Sequence, residues 1–109
     1  MQKAVTMVRI YISEADHGHR TNLMQEIFGL LHDQHKVHGV TVFRGISGFG
    51  TKGEVHSADL LRLTANLPLV IEFFDEPGIV SAAIQSLSGL VPAGHLIQWP
   101  AQCSCPEPL

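Results

Sequence analysis

Gly45, Gly48, Gly50 and Gly53 punctuate the stretch Arg44–Arg62 (RGISGFGTKGEVHSADLLR), with the cations Arg44 and Lys52 among them. Glycines let a backbone approach a bound group closely, and a cation beside exposed amides suits phosphate or carboxylate. Gly48–Gly53 spells GxGxxG after a strand-like run, but in a dinucleotide site the last glycine opens a helix that meets a pyrophosphate. Here Glu54 follows it directly and puts negative charge where that anion would sit. A Walker loop fails too, because Thr51-Lys52 reverses the required Lys-Ser/Thr order. Two readings stay open. The glycines form a plain hairpin tip, or Gly45, Gly48 and Gly50 bring amides to a ligand while Arg44 and Lys52 supply charge. A loop this long in a small domain is more often functional or disordered than a neutral connector. We therefore take residues 47–59 as a sensing loop, with a ligand expected at its base, Arg44-Gly45, and a partner at its tip, 51–53.

Arg44 alternates with Val40 and Val42, which points it to the apolar side of its strand, where an unpaired charge is costly. It either pairs with Glu72 or Asp75 or faces a ligand cleft. The chain has seven histidines. His32, His35 and His38 are spaced by three, which is not the i, i+4 zinc arrangement, and they read as exposed polar residues. His56 stands out as the histidine within the loop. Cys103-Ser104-Cys105 is too tight for an unstrained disulfide, but with His56 these cysteines are candidate soft-metal ligands if several tails converge. No Ser-His-Asp set, carboxylate pair or catalytic cysteine context is recognisable, so no enzyme activity is expected.

The elements that must position these residues follow from periodicity. Val5–Ile12 alternates as a strand. A polar turn, Ser13–Arg20, leads to a helix capped by Asn22, with Gln25 as reciprocal partner, that runs to about Lys36 and is stopped by Gly39. Val40–Ile46 is a second strand, and a short helical turn is expected within Ser57–Asn66. Leu69–Phe74 is a third strand. A second helix opens at Asp75-Glu76-Pro77, its stripe being Ile79, Val80, Ala83, Ile84, Leu87 and Leu90. Gly94–Trp99 is a fourth strand. Residues 1–99 thus form one domain, and residues 100–109 (PAQCSCPEPL) read as a Pro- and Cys-containing tail.

The order βαββαβ is that of the ferredoxin-like α+β sandwich, an antiparallel sheet with both helices on one face. Leu69–Phe74 is apolar on both sides except at Glu72, so both sheet faces call for cover, the second from other subunits. With 109 residues, 45% hydrophobic and 16% charged, the chain is one globular domain. A net charge of −3 without a basic cluster argues against nucleic-acid binding. No apolar run reaches the ~20 residues that span a bilayer, and no signal peptide is recognisable. A cytoplasmic location is expected, which the cysteine usage suits.

The runs GVTVFRGISGFG (Gly39–Gly50), EVHSADLLRLTANLPLVIEFFD (Glu54–Asp75) and VRIYISEAD (Val8–Asp16) resemble a PII-like family, number 190 among the domains of unknown function. The matching positions are Arg44, Gly45, Gly48, Phe49, Gly50, His56, Arg62, Leu67 and Pro68. The resemblance implies the ferredoxin-like fold and a homotrimer like the PII signalling proteins and their divalent-cation-tolerance relatives. It also implies a small effector, such as an adenine nucleotide, between subunits near the loop base. Sequences of this family commonly accompany fluoride-exporter genes, so a membrane transporter is the partner it suggests. The expectation is a trimeric sensor of a small anionic effector, with Arg44, Gly45, Gly48, Phe49, Gly50, Lys52, His56 and Arg62 at the site. The alternative is a copper- or zinc-binding trimer that uses histidines and the Cys103/Cys105 tail.

Overall fold

The computed structural model describes residues 2–49, 55–57 and 66–104, with 55–57 as backbone. The strands are β1 (Gln2–Ser13), β2 (Gly39–Arg44), β3 (Ser47–Phe49), β4 (Val55–Ser57), β5 (Pro68–Asp75) and β6 (Leu96–Ser104). The helices are α1 (Leu23–Gly29), continued by a π-helical segment (Leu30–His35), and α2 (Pro77–Leu87). Four strands form one antiparallel sheet in the order β2-β5-β1-β6, while β3 and β4 pair with each other. This is the expected ferredoxin-like arrangement with a small hairpin inserted between β2 and β5.

One face of the sheet carries the core. Val8, Ile10 and Ile12 of β1 and Leu69, Ile71 and Phe73 of β5 pack against Leu23, Ile27 and Leu31 and against Val80, Ala83 and Leu87 of α2. Asn22 caps α1 as its type suggests, its Oδ1 accepting from the Gln25 amide at 2.8 Å. The reciprocal half differs from expectation. The Gln25 side chain accepts from the Thr21 hydroxyl, and it is Glu26 that reaches back, Oε2 accepting from the amides of Arg20 and Thr21 at 3.1 and 3.2 Å. Those amides hold the Glu26 carboxyl below its ordinary value. Gly18 sits against this carboxylate, where a Cβ would collide with it. The helix ends at His35 with Lys36 as its cap, as expected, but Gly39 is not what stops it: Leu31 O accepts from the amides of both Lys36 and Val37, and Lys36 turns left-handed at φ 48°. Gly39 instead begins β2.

At the other end of β2, the strand stops at Arg44 rather than Ile46, because of Pro68. Gly45 N donates to Pro68 O at 2.8 Å. In an antiparallel ladder that pair would exchange two bonds, but proline has no N–H to return. The ladder ends there and the chain departs into β3. The approach is close: a Cβ on Gly45 would lie 2.7 Å from Pro68 Cγ.

A second proline explains why β6 outruns the expected strand, Gly94–Trp99. Tyr11 N donates to His95 O, one register step before Ile10↔Leu96. Odd-numbered β1 residues therefore make the hydrogen-bonded pairs, and Thr6↔Pro100 is a non-bonded pair. The missing N–H of Pro100 faces the outer edge, where a strand tolerates proline. Residues 100–104, expected in the tail, thus pair with Gln2–Thr6.

Two measurements test these features. Gly45→Ala should lower unfolding stability by about 1 to 3 kcal/mol through forced displacement against Pro68, read by urea denaturation. Glu26 has a folded-state pKa below its unfolded value, so its contribution is complete above pH 4.5 and is lost as pH falls through the depressed folded value. The denaturation midpoint of the wild type should therefore fall more steeply below pH 4.5 than that of Glu26→Gln.

Candidate functional site

Three segments meet at the end of the sheet where the inserted hairpin leaves. The β1–α1 turn is tied to the chain entering β5, with Glu14 N donating to Leu67 O at 2.9 Å and Ala15 N to Asn66 Oδ1 at 2.8 Å. The end of β2 is tied to the same segment through Gly45 and Pro68. Across this junction Arg44 grips Glu14 with two bonds, Nε to Oε1 at 2.6 Å and Nη2 to Oε2 at 3.1 Å. The paired carboxylate raises the Arg44 pKa further above its ordinary value. The guanidinium stays accessible, with 63% of the side chain exposed against 30% for Glu14.

Arg44 pairs with neither Glu72 nor Asp75. Arg44 lies opposite Leu69, on the helix side, whereas Glu72 lies opposite Thr41 and Arg9 on the other face. Asp75, buried, accepts from the amides of His38 and Glu76, both at 2.7 Å. Arg44 meets no burial penalty, because at the last position of β2 it reaches past the core into solvent.

Among the other expected site residues, Gly45 and Gly48 both stand over Pro68, Gly48 with room for a Cβ at 3.4 Å from Pro68 Cγ. Phe49 is 75% exposed, and so is its neighbour Ile46 at 79%. His56 Cα pairs with Gly48 in the β3–β4 ladder. Gly50, Lys52, Arg62, Cys105 and the His56 side chain lie outside the described residues, as do the expected loop tip and most of the expected helical turn. Cys103 lies on β6 opposite Lys3. His32 bonds Asp33 and stacks on Phe28, His35 bonds Ser86, and His38 contacts Phe74. Among the described residues no three metal-donor side chains converge.

Sequence reasoning missed Glu14, the partner of Arg44. The strand order carries the signal: with β5 between β1 and β2, the turn after β1 and the end of β2 reach the same sheet end. It also missed a constellation on the helix-free face. There Arg9 Nε bonds Glu72 Oε2 at 2.7 Å, with its guanidinium 5.8 Å from the Trp99 ring centre. The Glu72 hydrogen bond raises the Arg9 pKa, and the Tyr11 hydroxyl adds to it. Phe43, Tyr11, Ile97 and Trp99 share this face and are all substantially exposed. A shallow groove of about 550 Å³ between α1 and α2 shares no lining residue with the loop base. Among the described residues, no helix is long and apolar enough to cross a membrane.

Comparisons with known proteins agree with this geometry. Residues 5–103 match the DUF190 family, described as Uncharacterized ACR, COG1993. A UPF0166 protein from Methanocaldococcus jannaschii is 30% identical over 91 residues, spanning 84% of this chain and 82% of its own. A second, from Aquifex aeolicus, is 35% identical over 51 residues, 47% of this chain and 49% of its own. Among solved structures, CPII from Thiomonas intermedia K12 bound to ADP and bicarbonate superposes with a TM-score of 0.68 at 16% identity, covering 96% of this chain and 93% of that one. The divalent ion tolerance protein CutA1 from Ehrlichia chaffeensis gives 0.58 at 10% identity, covering 94% and 84%. At such identities these two structures bear on the fold alone, which is PII-like. Matched across nearly its whole length, and with an archaeal relative at 30% identity, the chain belongs to the DUF190 family.

Proposed function

We propose that this protein is a trimeric regulatory protein of PII type that binds a small anionic effector, an adenine nucleotide, at the base of its inserted loop. The observation that carries the reading is an accessible arginine at the point where the sheet ladder ends. Arg44 offers a planar fork suited to phosphate, presented at the junction where Gly45 packs on Pro68. The similarity of fold to CPII, solved with ADP, AMP and bicarbonate bound, favours a nucleotide. The protein acts by binding and not by catalysis. Effector binding acts on the loop 47–59, which then meets or releases a partner protein such as a membrane transporter.

The helix-free face supports the assembly. Phe43, Tyr11, Ile97 and Trp99 form an exposed apolar patch around the Arg9–Glu72 pair, the composition expected of a subunit core. Association through this face would bury the patch and the Arg9–Glu72 pair, while Arg44, on the helix side of edge strand β2, stays outside that contact.

Light scattering should give the mass of three chains, and Trp99→Glu should shift it toward the monomer. A wild-type monomer would refute the trimeric reading. Calorimetric titration with ATP, ADP and AMP should give binding that Arg44→Ala weakens roughly ten- to hundred-fold, the range for a lost charge-assisted bond. Absence of heat from all three nucleotides at millimolar concentration would refute the nucleotide reading.

A further inference from the structure

We infer that Glu14 is a built-in competitor for the effector: its carboxylate occupies the Arg44 guanidinium, and an incoming phosphate must displace it. This inference rests on the nucleotide reading above and adds the device that sets its affinity. Both bonds from Arg44 run to the two oxygens of Glu14, the same bidentate geometry by which arginine takes a phosphate. One guanidinium edge cannot serve both acceptors at once. The two residues are held independently, Arg44 by the last step of β2 and Glu14 by its own amide on Leu67 O. Displacement therefore requires only rotation of the Glu14 side chain, with the backbone in place.

The contact also has the right strength to be displaced. An ion pair this exposed is weak, so a phosphate with more negative charge can outcompete a carboxylate. After displacement, Glu14 stays anchored near the bound anion and repels it, which lowers affinity again. Glu14 thereby raises the effector concentration at which the loop responds. It also keeps Arg44 from capturing weakly charged anions.

The test compares wild type, Glu14→Gln, Arg44→Ala and the double variant, titrated with ADP and with inorganic tripolyphosphate, and with melting temperatures recorded for each. Glu14→Gln should bind both probes about 3- to 10-fold more tightly, in line with release of a weak pair and of its repulsion. The gain should vanish in the Arg44→Ala background, an epistasis that a merely structural Glu14 would not produce. Glu14→Asp, which keeps the charge, should stay near the wild type and guards against a folding artefact in the glutamine variant. A wild type that binds while Glu14→Gln binds no more tightly would overturn the competitor and leave the nucleotide site standing. No binding of either probe by wild type or Glu14→Gln would overturn both.

Discussion

The amide that Pro68 lacks shapes the end of the sheet on which the candidate site is built. Gly45 and Pro68 occupy a position where two strands would trade two hydrogen bonds, and only one can form. A ladder that could continue would carry β2 onward beside β5, and the chain would have no reason to leave the plane. Because it cannot, the chain turns away at Arg44, and the proline ring packs under Gly45 and Gly48. Arg44 becomes the last residue of regular strand. Its backbone is fixed by the ladder, while its exposed guanidinium is held by Glu14 alone among the described residues. The same junction ties the β1–α1 turn to residues 66 and 67, so a local defect in pairing organises three separate stretches of chain.

The two faces of the sheet solve different problems. The helix side is a conventional aliphatic core in which Val8, Ile10, Ile71 and Phe73 are fully buried. The opposite side mixes aromatics with one ion pair, Arg9–Glu72, braced by Trp99. In water such a pair contributes little. Covered by a neighbouring subunit, the same pair would be desolvated, but with its hydrogen bond and cation–π contact already made. A pair already formed before assembly lowers the cost of burying the charges, and charges at fixed places in an apolar patch restrict the ways two copies can meet. Apart from this face, a Lys3–Glu76 bridge at 2.6 Å ties β1 to the start of α2.

Much of this was legible in the sequence, and the exceptions have physical causes. Strand alternation placed Val8, Ile10 and Ile12 inward, the order of elements identified the ferredoxin-like sheet, and Asn22 announced its helix. The departures lie where partners are distant in sequence. Nothing local to Arg44 says that its carboxylate sits thirty positions earlier. The expected pairing with Glu72 failed because side chains alternate, and Glu72 faces the other side from Arg44. Pro100 looked like the start of a tail because proline breaks central strands. Only the register with β1 shows that its missing donor points to an open edge. Loop residues Lys52 and Arg62, prominent in the sequence, lie outside the described residues.

The inserted hairpin completes the logic. β3 and β4 contribute three residues each, and a two-stranded ribbon of that size is at best marginally stable by itself. Its described side chains bury little, since Phe49 and Ile46 are among the most exposed large apolar groups of the molecule. Among the described residues its base rests on the Pro68 ring, the same end at which Arg44 stands. Ordering such an element requires only a few kilocalories of differential binding, which one bidentate phosphate contact at its base can provide. On the proposed reading, a firmly packed loop would be indifferent to the effector, and an unanchored one would transmit nothing. Pro68 beneath Gly45 and Gly48 anchors the base of the hairpin, and Ile46 and Phe49 leave an apolar surface exposed beside it.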